Sequence, residues 1–427
     1  MIAPSSPQSA PSAATSALQP RAAHLTFLVV ALNYGVIVLF QKVGYSTPAA
    51  SLSVALPCLM VSFIALMIMG DFRISPIRLI AYAAFCATAF FSQAMVGRGI
   101  SWFGLAILFA IYLFFIFEMR VTWGFYLRTV AVFQNLMLVA CALLLLQHLW
   151  QLVLGANSIF NIENYVPTQF LYKTYNYIQL INWRSHYIKP NGFIFLEASI
   201  ASQFLAIALI TEMVYFQRLW RLALYGACLV LTFAGTGLLI VALTAPLLLL
   251  KLSPRRAIIL AIASLILVAV VAATGWFDLI SGRLGEFQIA GSSSNSRFIA
   301  PFLSLSHAIS DPTVIFKGIG AGNIKAGQNI VWWASTKLVV EYGVLTTISF
   351  YTLLCVSLFD RAPSYRVAWA LFVLFNFMGG YLAMPVMAGL LLLMGGLLRP
   401  IDAKPRNFRT ALRDARQARE PDRPRLA

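Results

Sequence analysis

Long apolar runs separated by short charged connections fill most of the chain. Each run approaches the ~17–25 residues that a helix needs to cross the ~30 Å hydrocarbon core of a bilayer. The pattern predicts an all-α polytopic integral membrane protein with about twelve transmembrane helices and two large outer loops. The helices are expected at about 24–42, 48–69, 77–95, 99–118, 126–153, 193–213, 222–235, 236–251, 257–276, 334–358, 366–380 and 381–399.

The run that starts at Leu222 is too long for one comfortable span and too short for two full ones. Glycine lets the backbone turn where an unbroken helix would otherwise continue. We therefore place a break at Gly235-Thr236-Gly237, and the break divides the run into two helices.

Composition supports the membrane assignment. The chain is 60% hydrophobic and 11% charged, whereas a soluble domain is roughly 25% charged. A net charge of +17 would suggest nucleic acid as a partner if it covered a soluble surface. The five cysteines all fall within apolar runs, so they indicate buried small hydrophobes rather than disulfides or a zinc site.

The basic residues predict the orientation, because cytoplasmic connections of membrane proteins are enriched in Lys and Arg. With the N-terminus inside, the inner connections carry Arg73/Arg78, Arg120/Arg128, Arg218/Arg221, Arg255/Arg256 and Arg361/Arg366. Residues 1–22 are then a disordered cytoplasmic N-terminus, 23–399 the transmembrane domain and 400–427 a basic cytoplasmic tail. The positive charge is thus a topology signal, and no nucleic-acid partner is expected.

The same topology places two long polar segments outside, at about 155–192 and 277–333. Long loops are uncommon unless they are functional. Both retain cations on the side where cations are normally depleted, which indicates an anionic partner. The planar fork of arginine suits phosphate. Arg184 and Arg297 are the better candidates, since each lies beside an amphipathic or spanning segment.

Three further residues are candidates for chemistry. Glu197, in GFIFLEAS, and Glu341, in KLVVEYGVL, are ionisable groups at membrane depth. Such groups are costly, and they serve either a reaction or the assembly of the bundle. His186 has the side chain best suited to accept a proton near neutral pH, although a loop histidine is more often only solvated or hydrogen-bonded.

The sequence favours neither a metal nor a nucleotide. The carboxylates of the two outer segments, Glu163, Asp278, Glu286 and Asp311, are scattered along the sequence, so no metal site is expected. The string GIGAGN, residues 318–323, lacks the flanking strand and helix of a dinucleotide site. A tight turn with close backbone approach explains its glycines equally well. No cofactor is therefore expected.

Three stretches in order resemble the O-antigen ligase and Wzy-type polysaccharide polymerase superfamily. RSHYIKPNGFIFLEAS is similar to its Arg…Gly-Phe-Phe-x-Glu-x-Ser signature, and LTFAGTGLL to the Thr-Gly-Leu-Leu segment that follows. SSSNSRFIAPFLSLSHAISDPTVIFKGIGAGN, followed by KLVVEYGVL, is similar to the second large periplasmic loop and the span after it. The resemblance covers about residues 184–358; the motifs are short, and their order carries the likeness.

The resemblance implies a C-type glycosyltransferase-like enzyme of the bacterial inner membrane. Such enzymes take a saccharide from an undecaprenyl-pyrophosphate carrier on the periplasmic face and pass it to an acceptor hydroxyl. The implied partners are that lipid-linked oligosaccharide, the bilayer and, as a further candidate, a chain-length regulator. The implied substrate-binding residues are Arg184, Arg297, Lys189, Asn191 and Gly320. The implied catalytic residues are Glu197, His186 and Glu341.

The chain departs from the ligase branch, which usually has a His-Asn pair before the span headed by Glu-x-Gly. Here the equivalent stretch is NIVWWASTKLVVEYG. This favours a polymerase over a ligase and leaves the identity of the base open. A transporter or flippase of lipid-linked saccharide is the other alternative, but internally repeated halves, which many transporters show, are not found in the sequence.

Overall fold

The computed structural model describes residues 20–46, 51–69, 72–97, 99–172, 175, 177–181, 186–250, 288–289, 291–324, 330–377, 381–403 and 405. Most of these residues are helical. The first eight α-helices are α1 Pro20–Leu39, α2 Ala55–Ile68, α3 Pro76–Val96, α4 Trp102–Leu113, α5 Trp123–Leu154, α6 Ala198–Thr211, α7 Leu219–Leu231 and α8 Gly235–Leu249. The later ones are α9 Ser293–Phe298, α10 Ala300–Ile309, α11 Pro312–Lys317, α12 Ala334–Phe359, α13 Tyr365–Phe377 and α14 Pro385–Leu391.

Four helices in the described part of the chain are long and apolar enough to cross a membrane: α3, α5, α6 with its extension to Phe216, and α12. Shorter apolar helices occupy most of the other predicted spans. The span expected at 257–276 lies outside the described residues, so the total of twelve stays a prediction. A break divides this run into two helices as predicted, since α7 ends at Leu231 and α8 begins at Gly235. It lies at residues 232–234, however, where Phe233 has a positive φ, and the predicted Gly235-Thr236-Gly237 forms the first turn of α8.

The described residues also include five short strands that the apolar pattern did not predict. β1 Gly44–Ser46 and β2 Ser51–Ser53 form an antiparallel hairpin. β4 Phe117–Val121 pairs antiparallel with β3 Arg73–Ile74 and parallel with β5 Leu398–Pro400. Three of them, β2, β4 and β5, take up ends of runs predicted to be helical, at about 48–69, 99–118 and 381–399. Where a helix ends, its last backbone N–H and C=O groups have no partner within the helix. Pairing in the strands gives such groups hydrogen-bond partners.

The helix α6 lies at the centre of the bundle. It begins the apolar stretch Ala198–Phe216, and 83% of the most apolar 18 residues of this stretch are buried inside the protein. It packs against α5, α7, α8 and α13, while α3 packs along α12. Outer helices expose large apolar side chains, among them Ile68, Phe91, Val153 and Leu250. In a chain this apolar, such exposure is expected where helices face lipid.

The two predicted termini are described only in part. Helix α1 already begins at Pro20, so it includes the last residues of the segment predicted to be a disordered N-terminus. Residues 1–19 and 406–427 lie outside the described residues, as do 277–287 and 325–329 of the second outer segment.

Candidate active site

An ion pair joins the second outer segment to the start of α6. Arg297 lies in α9, and its Nη2 stands 3.8 Å from Oε2 of Glu197, the residue just before α6. The side chains are 20% and 16% exposed, so solvent reaches both. Charge-assisted N–H···O bonds are shorter, about 2.7–2.9 Å, so this pair is a loose one. Most of the five guanidinium donors of Arg297 are not used by Glu197.

The backbone around Arg297 is held by hydrogen bonds to the residues just before α12. Trp333, immediately before α12, donates from its indole Nε1 to the carbonyl oxygen of Arg297 at 2.7 Å. Val331 N donates to the carbonyl oxygen of Ser296 at 2.8 Å. The Arg297 Nε is buried and has no hydrogen-bond partner among the residues that the structure describes. Arg297 is therefore a positioned cation with donors left over for a ligand.

A hydrogen-bonded network of three hydroxyl groups, from Ser199, Ser202 and Thr236, connects Glu197 to α6 and α8. Ser199 donates to Glu197 Oε2 at 2.9 Å. Ser202 Oγ donates to the carbonyl oxygen of Ser199 at 2.7 Å and lies 2.9 Å from Thr236 Oγ1. The backbone N–H of Gly237 donates to Ser202 Oγ at 3.1 Å. Two of the sequence motifs, GFIFLEAS and LTFAGTGLL, thus meet where α6 crosses α8.

Two glutamines of α5 hold the chain that leads to Glu197. Gln147 Oε1 accepts from the backbone N–H groups of Asn191 at 2.9 Å and Gly192 at 2.7 Å. Gln151 bonds both the N–H and the carbonyl of Ile188. Sequence reasoning missed both glutamines, because a polar residue in an apolar run gives no sign of its partner.

Asn191 was predicted to bind substrate, but in the structure its side chain hydrogen-bonds to the protein backbone. Its Nδ2 donates to the carbonyl oxygen of Tyr177 at 2.9 Å, and its Oδ1 accepts from Phe193 N at 3.1 Å. The residue is buried. The structure thus gives Asn191 a part in shaping the approach to Glu197.

His186 and Lys189 lie in a hairpin whose arms meet at the Leu180–Ile188 bridge. His186 is exposed. Lys189 is half-buried, and its backbone N–H donates to Gln179 O at 2.7 Å. Arg184 lies outside the described residues. The role predicted for these three residues stays a prediction.

The glycine string packs against α12 as a turn. Gly318 and Gly343 both have positive φ. A Cβ on Gly318 would lie 2.6 Å from Tyr342 N in α12, and a Cβ on Gly343 would lie 2.7 Å from Phe316 C in α11, so neither position has room for a side chain. Gly320, also at positive φ, donates from its N–H to the carbonyl oxygen of Glu341 at 3.1 Å. This geometry agrees with the turn interpretation of GIGAGN.

Glu341 is buried beneath this turn, where its Oε1 accepts a long bond of 3.4 Å from Gly322 N. Gln93 of α3 ties the turn and α12 together: its Oε1 accepts from Ala321 N at 2.7 Å and its Nε2 donates to Glu341 O at 3.1 Å. Glu341 lies eight residues after Trp333, about 12 Å along α12. These contacts fasten the second outer segment to the bundle.

Lys42, in the turn after α1, is a buried cation. Its ammonium lies 5.0 Å from the centroid of the Tyr177 ring, and it forms no ion pair in the described part of the chain. Tyr172 N donates to Lys42 O at 2.9 Å, so the first outer segment covers it. Burial lowers the pKa of Lys42 to about 8, and the charge of Glu163 partly offsets this.

We expect Lys42→Met to raise the melting temperature of the purified protein at pH 7, because the ammonium is buried without a counter-ion. Between the folded pKa of about 8 and the usual value of 10.5, the unfolded chain holds a proton that the folded chain releases. Wild-type stability should therefore rise with pH across this window, and Lys42→Met should remove that rise.

Lys317→Met is the matched control for this experiment, since Lys317 lies at the end of α11 and is only half-buried. Thermal unfolding from pH 7 to 10.5 would compare the three proteins. A lower melting temperature for Lys42→Met at pH 7 would show that the ammonium is stabilised where it lies.

The fold and the site together define a polytopic helical membrane protein with a loose arginine–carboxylate pair between the second outer segment and the start of α6. A sequence profile of the family WcaD colanic acid polymerase matches residues 29–356, which include every predicted site residue. The chain therefore belongs to this family, a Wzy-type polymerase family, and the resemblance seen in the sequence is confirmed. No curated protein matches the chain in sequence. The family makes this protein a membrane glycosyltransferase of polysaccharide biosynthesis that joins repeat units.

Proposed function

We propose that the protein polymerises undecaprenyl-pyrophosphate-linked oligosaccharide repeat units on the periplasmic face of the bacterial inner membrane, with both termini cytoplasmic. The loose Arg297–Glu197 pair is the observation that carries the proposal. A cation with unused donors beside a carboxylate fits a reaction in which an anion leaves while a hydroxyl loses its proton.

In the proposed reaction, an acceptor hydroxyl on one lipid-linked unit attacks the anomeric carbon of the sugar attached to pyrophosphate on another unit. The new glycosidic C–O bond forms as the C–O bond to the phosphate breaks. The bonding electrons leave with undecaprenyl pyrophosphate, and the hydroxyl proton passes to a base on the protein. The leaving group is already stabilised, so the protein must mainly position two glycans and hold the phosphate charge.

Arg297 takes the phosphate charge in this account, with Arg184 and Lys189 as further cations from the first outer segment. Glu197 orients Arg297 and is our first choice for the base, because it is a carboxylate beside Arg297 that solvent still reaches. His186 is the second choice. Asn191, Gly320 and Glu341 act by shaping the two outer segments, as their internal contacts suggest.

Lipid-linked intermediates in cells would test the proposal. A strain without this protein should accumulate single repeat units on undecaprenyl pyrophosphate and make no polymer. Those units should be cleaved by a glycosidase supplied to the periplasm. If the protein were a transporter, the units would stay protected from that enzyme, and if it were a ligase, lipid-linked polymer would accumulate instead of single units.

The proposed sidedness has its own test. In a cysteine-free background, Ser158→Cys and Ser310→Cys should react with an impermeant thiol reagent added to cells with a permeabilised outer membrane, since both positions are exposed. Arg361→Cys, in the connection after α12, should react only after lysis. Labelling of Arg361→Cys before lysis, with protection of the other two, would reverse the orientation.

A further inference from the structure

A second charged region lies at the opposite end of the bundle from Glu197 and Arg297. Val96, the last residue of α3, lies near Gly320, and α12 starts beside Trp333. From there both helices run to the other end, where α3 begins at Pro76 and α12 is followed by Asp360. The 21 residues of α3 span about 32 Å, the thickness of a bilayer core.

A cavity of about 480 Å³ opens at this end, between the β3–β4–β5 sheet and the start of α3. Three arginines, Arg73, Arg120 and Arg361, and two carboxylates, Glu118 and Asp360, line it. The first turn of α3 contributes backbone N–H groups that no side chain caps. A helix N-terminus beside arginines favours a bound anion.

Two buried arginines lie behind this lining. Arg78 is fully buried and donates from Nη1 to the carbonyl oxygens of Phe117 at 3.0 Å and Gly396 at 2.8 Å. Its Nε and Nη2 have no hydrogen-bond partner among the described residues, and neither has Nε of Arg399. Glu118 and Asp360, which line the cavity, are close enough for their charges to act on both buried arginines.

The charges of the region are not balanced. Five arginines stand against two carboxylates, and in the described part of the chain none of the five forms an ion pair. Burial, and then the neighbouring charge of Arg78, lower the pKa of Arg399. Unsatisfied buried guanidinium groups are costly, and an anion in the cavity would offset that cost.

We propose that this cavity binds a phosphate group, supplied by a phospholipid headgroup or by a soluble phosphate compound. Arginine forks match phosphate oxygens, and the exposed Arg73, Arg120 and Arg361 provide three of them around one space. The position at a bundle end, one bilayer thickness from Arg297, favours the headgroup of an anionic lipid as the source. The site is separate from the proposed reaction and does not depend on it.

Thermal unfolding of the full-length protein in detergent tests the proposal. Phosphatidylglycerol should raise the melting temperature of the wild type more than the same amount of phosphatidylcholine does. In Arg361→Gln the phosphatidylglycerol concentration that gives half of this shift should rise about tenfold, because one charge-assisted bond is lost. Arg120→Gln/Arg361→Gln should lose most of the shift, with unchanged elution and unchanged melting temperature without lipid.

Arg366→Gln is the matched control, since it removes the same charge a few residues later, from α13, outside the cavity lining. It should respond to phosphatidylglycerol as the wild type does. A separate arm adds inorganic phosphate against chloride at equal ionic strength, and stabilisation in that arm, lost in Arg361→Gln, would identify a soluble phosphate as the source. Equal responses of wild type and the double variant to both lipid and phosphate, or equal losses in Arg361→Gln and Arg366→Gln, would overturn the proposal.

Discussion

Replacing Arg297 by alanine is expected to reduce polymer formation about 100-fold or more while the protein remains folded and inserted. The reason is that the guanidinium would stabilise phosphate charge that develops only as the glycosidic bond forms. Removing one preorganised donor of this type costs roughly 10²–10³ in rate. Polymer isolated from a complemented deletion strain, normalised to protein in the membrane, would measure the loss.

Two variants make the Arg297 result specific. Arg297→Lys should restore little activity, because lysine keeps the charge but lacks the planar fork. Lys317→Ala removes a cation from the same outer segment, where we expect only a solvated charge, and should leave polymer formation near normal. Equal losses in Lys317→Ala and Arg297→Ala would mean that the segment needs positive charge in general and no particular arginine.

Gly237→Ala is expected to have the largest effect on stability. A Cβ at this position would overlap the backbone carbonyl of Ser202 and lie 2.6 Å from Leu229 Cδ1, so α6 and α8 would have to separate. The bond from Gly237 N to Ser202 Oγ would lengthen as they do. Overpacking of this kind costs roughly 1–3 kcal/mol and sometimes more. The melting temperature in detergent should fall sharply, and with it the yield of folded protein.

Gly235→Ala provides the comparison, two residues away in the same helix. A Cβ there meets no atom within 4 Å, so only helix propensity changes, by less than about 1 kcal/mol. Gly235→Ala should melt near the wild-type temperature or slightly above it. If both substitutions had the same effect, the close approach of α6 and α8 at Gly237 would not be what stabilises this crossing.

The sequence allowed two kinds of feature to be predicted well. Apolar runs identify most of the helices, because burial in lipid or in the bundle requires length and apolarity that are visible locally. The existence of a break in the long run before α8 was also predictable from its length, but the glycines did not mark its position: the break precedes them, and Gly237 instead allows the close approach of α8 to Ser202. Arg297 and Glu197 were predicted from the sequence as separate candidates, and the structure brings them together as an ion pair.

Other features depend on residues that are distant in the chain. Gln147 and Gln93 are ordinary polar residues in apolar helices, and only the folded chain reveals that they hold the backbone at Asn191 and Ala321. The β3–β4–β5 sheet joins segments that begin at Arg73, Phe117 and Leu398, and no local pattern encodes that pairing. The burial of Lys42 likewise depends on Tyr172 and Tyr177, which lie more than 100 residues later in the sequence and cover it only in the folded chain.

The most direct test of the central claim uses purified protein in proteoliposomes, supplied only with the undecaprenyl-pyrophosphate-linked repeat unit. We predict a ladder of lengthened, still lipid-linked glycans, formed without any nucleotide sugar and nearly absent with Arg297→Ala. Glycans that lengthen only when a nucleotide sugar is added, or equal ladders from the wild type and Arg297→Ala, would contradict polymerisation by pyrophosphate displacement at the Arg297–Glu197 site.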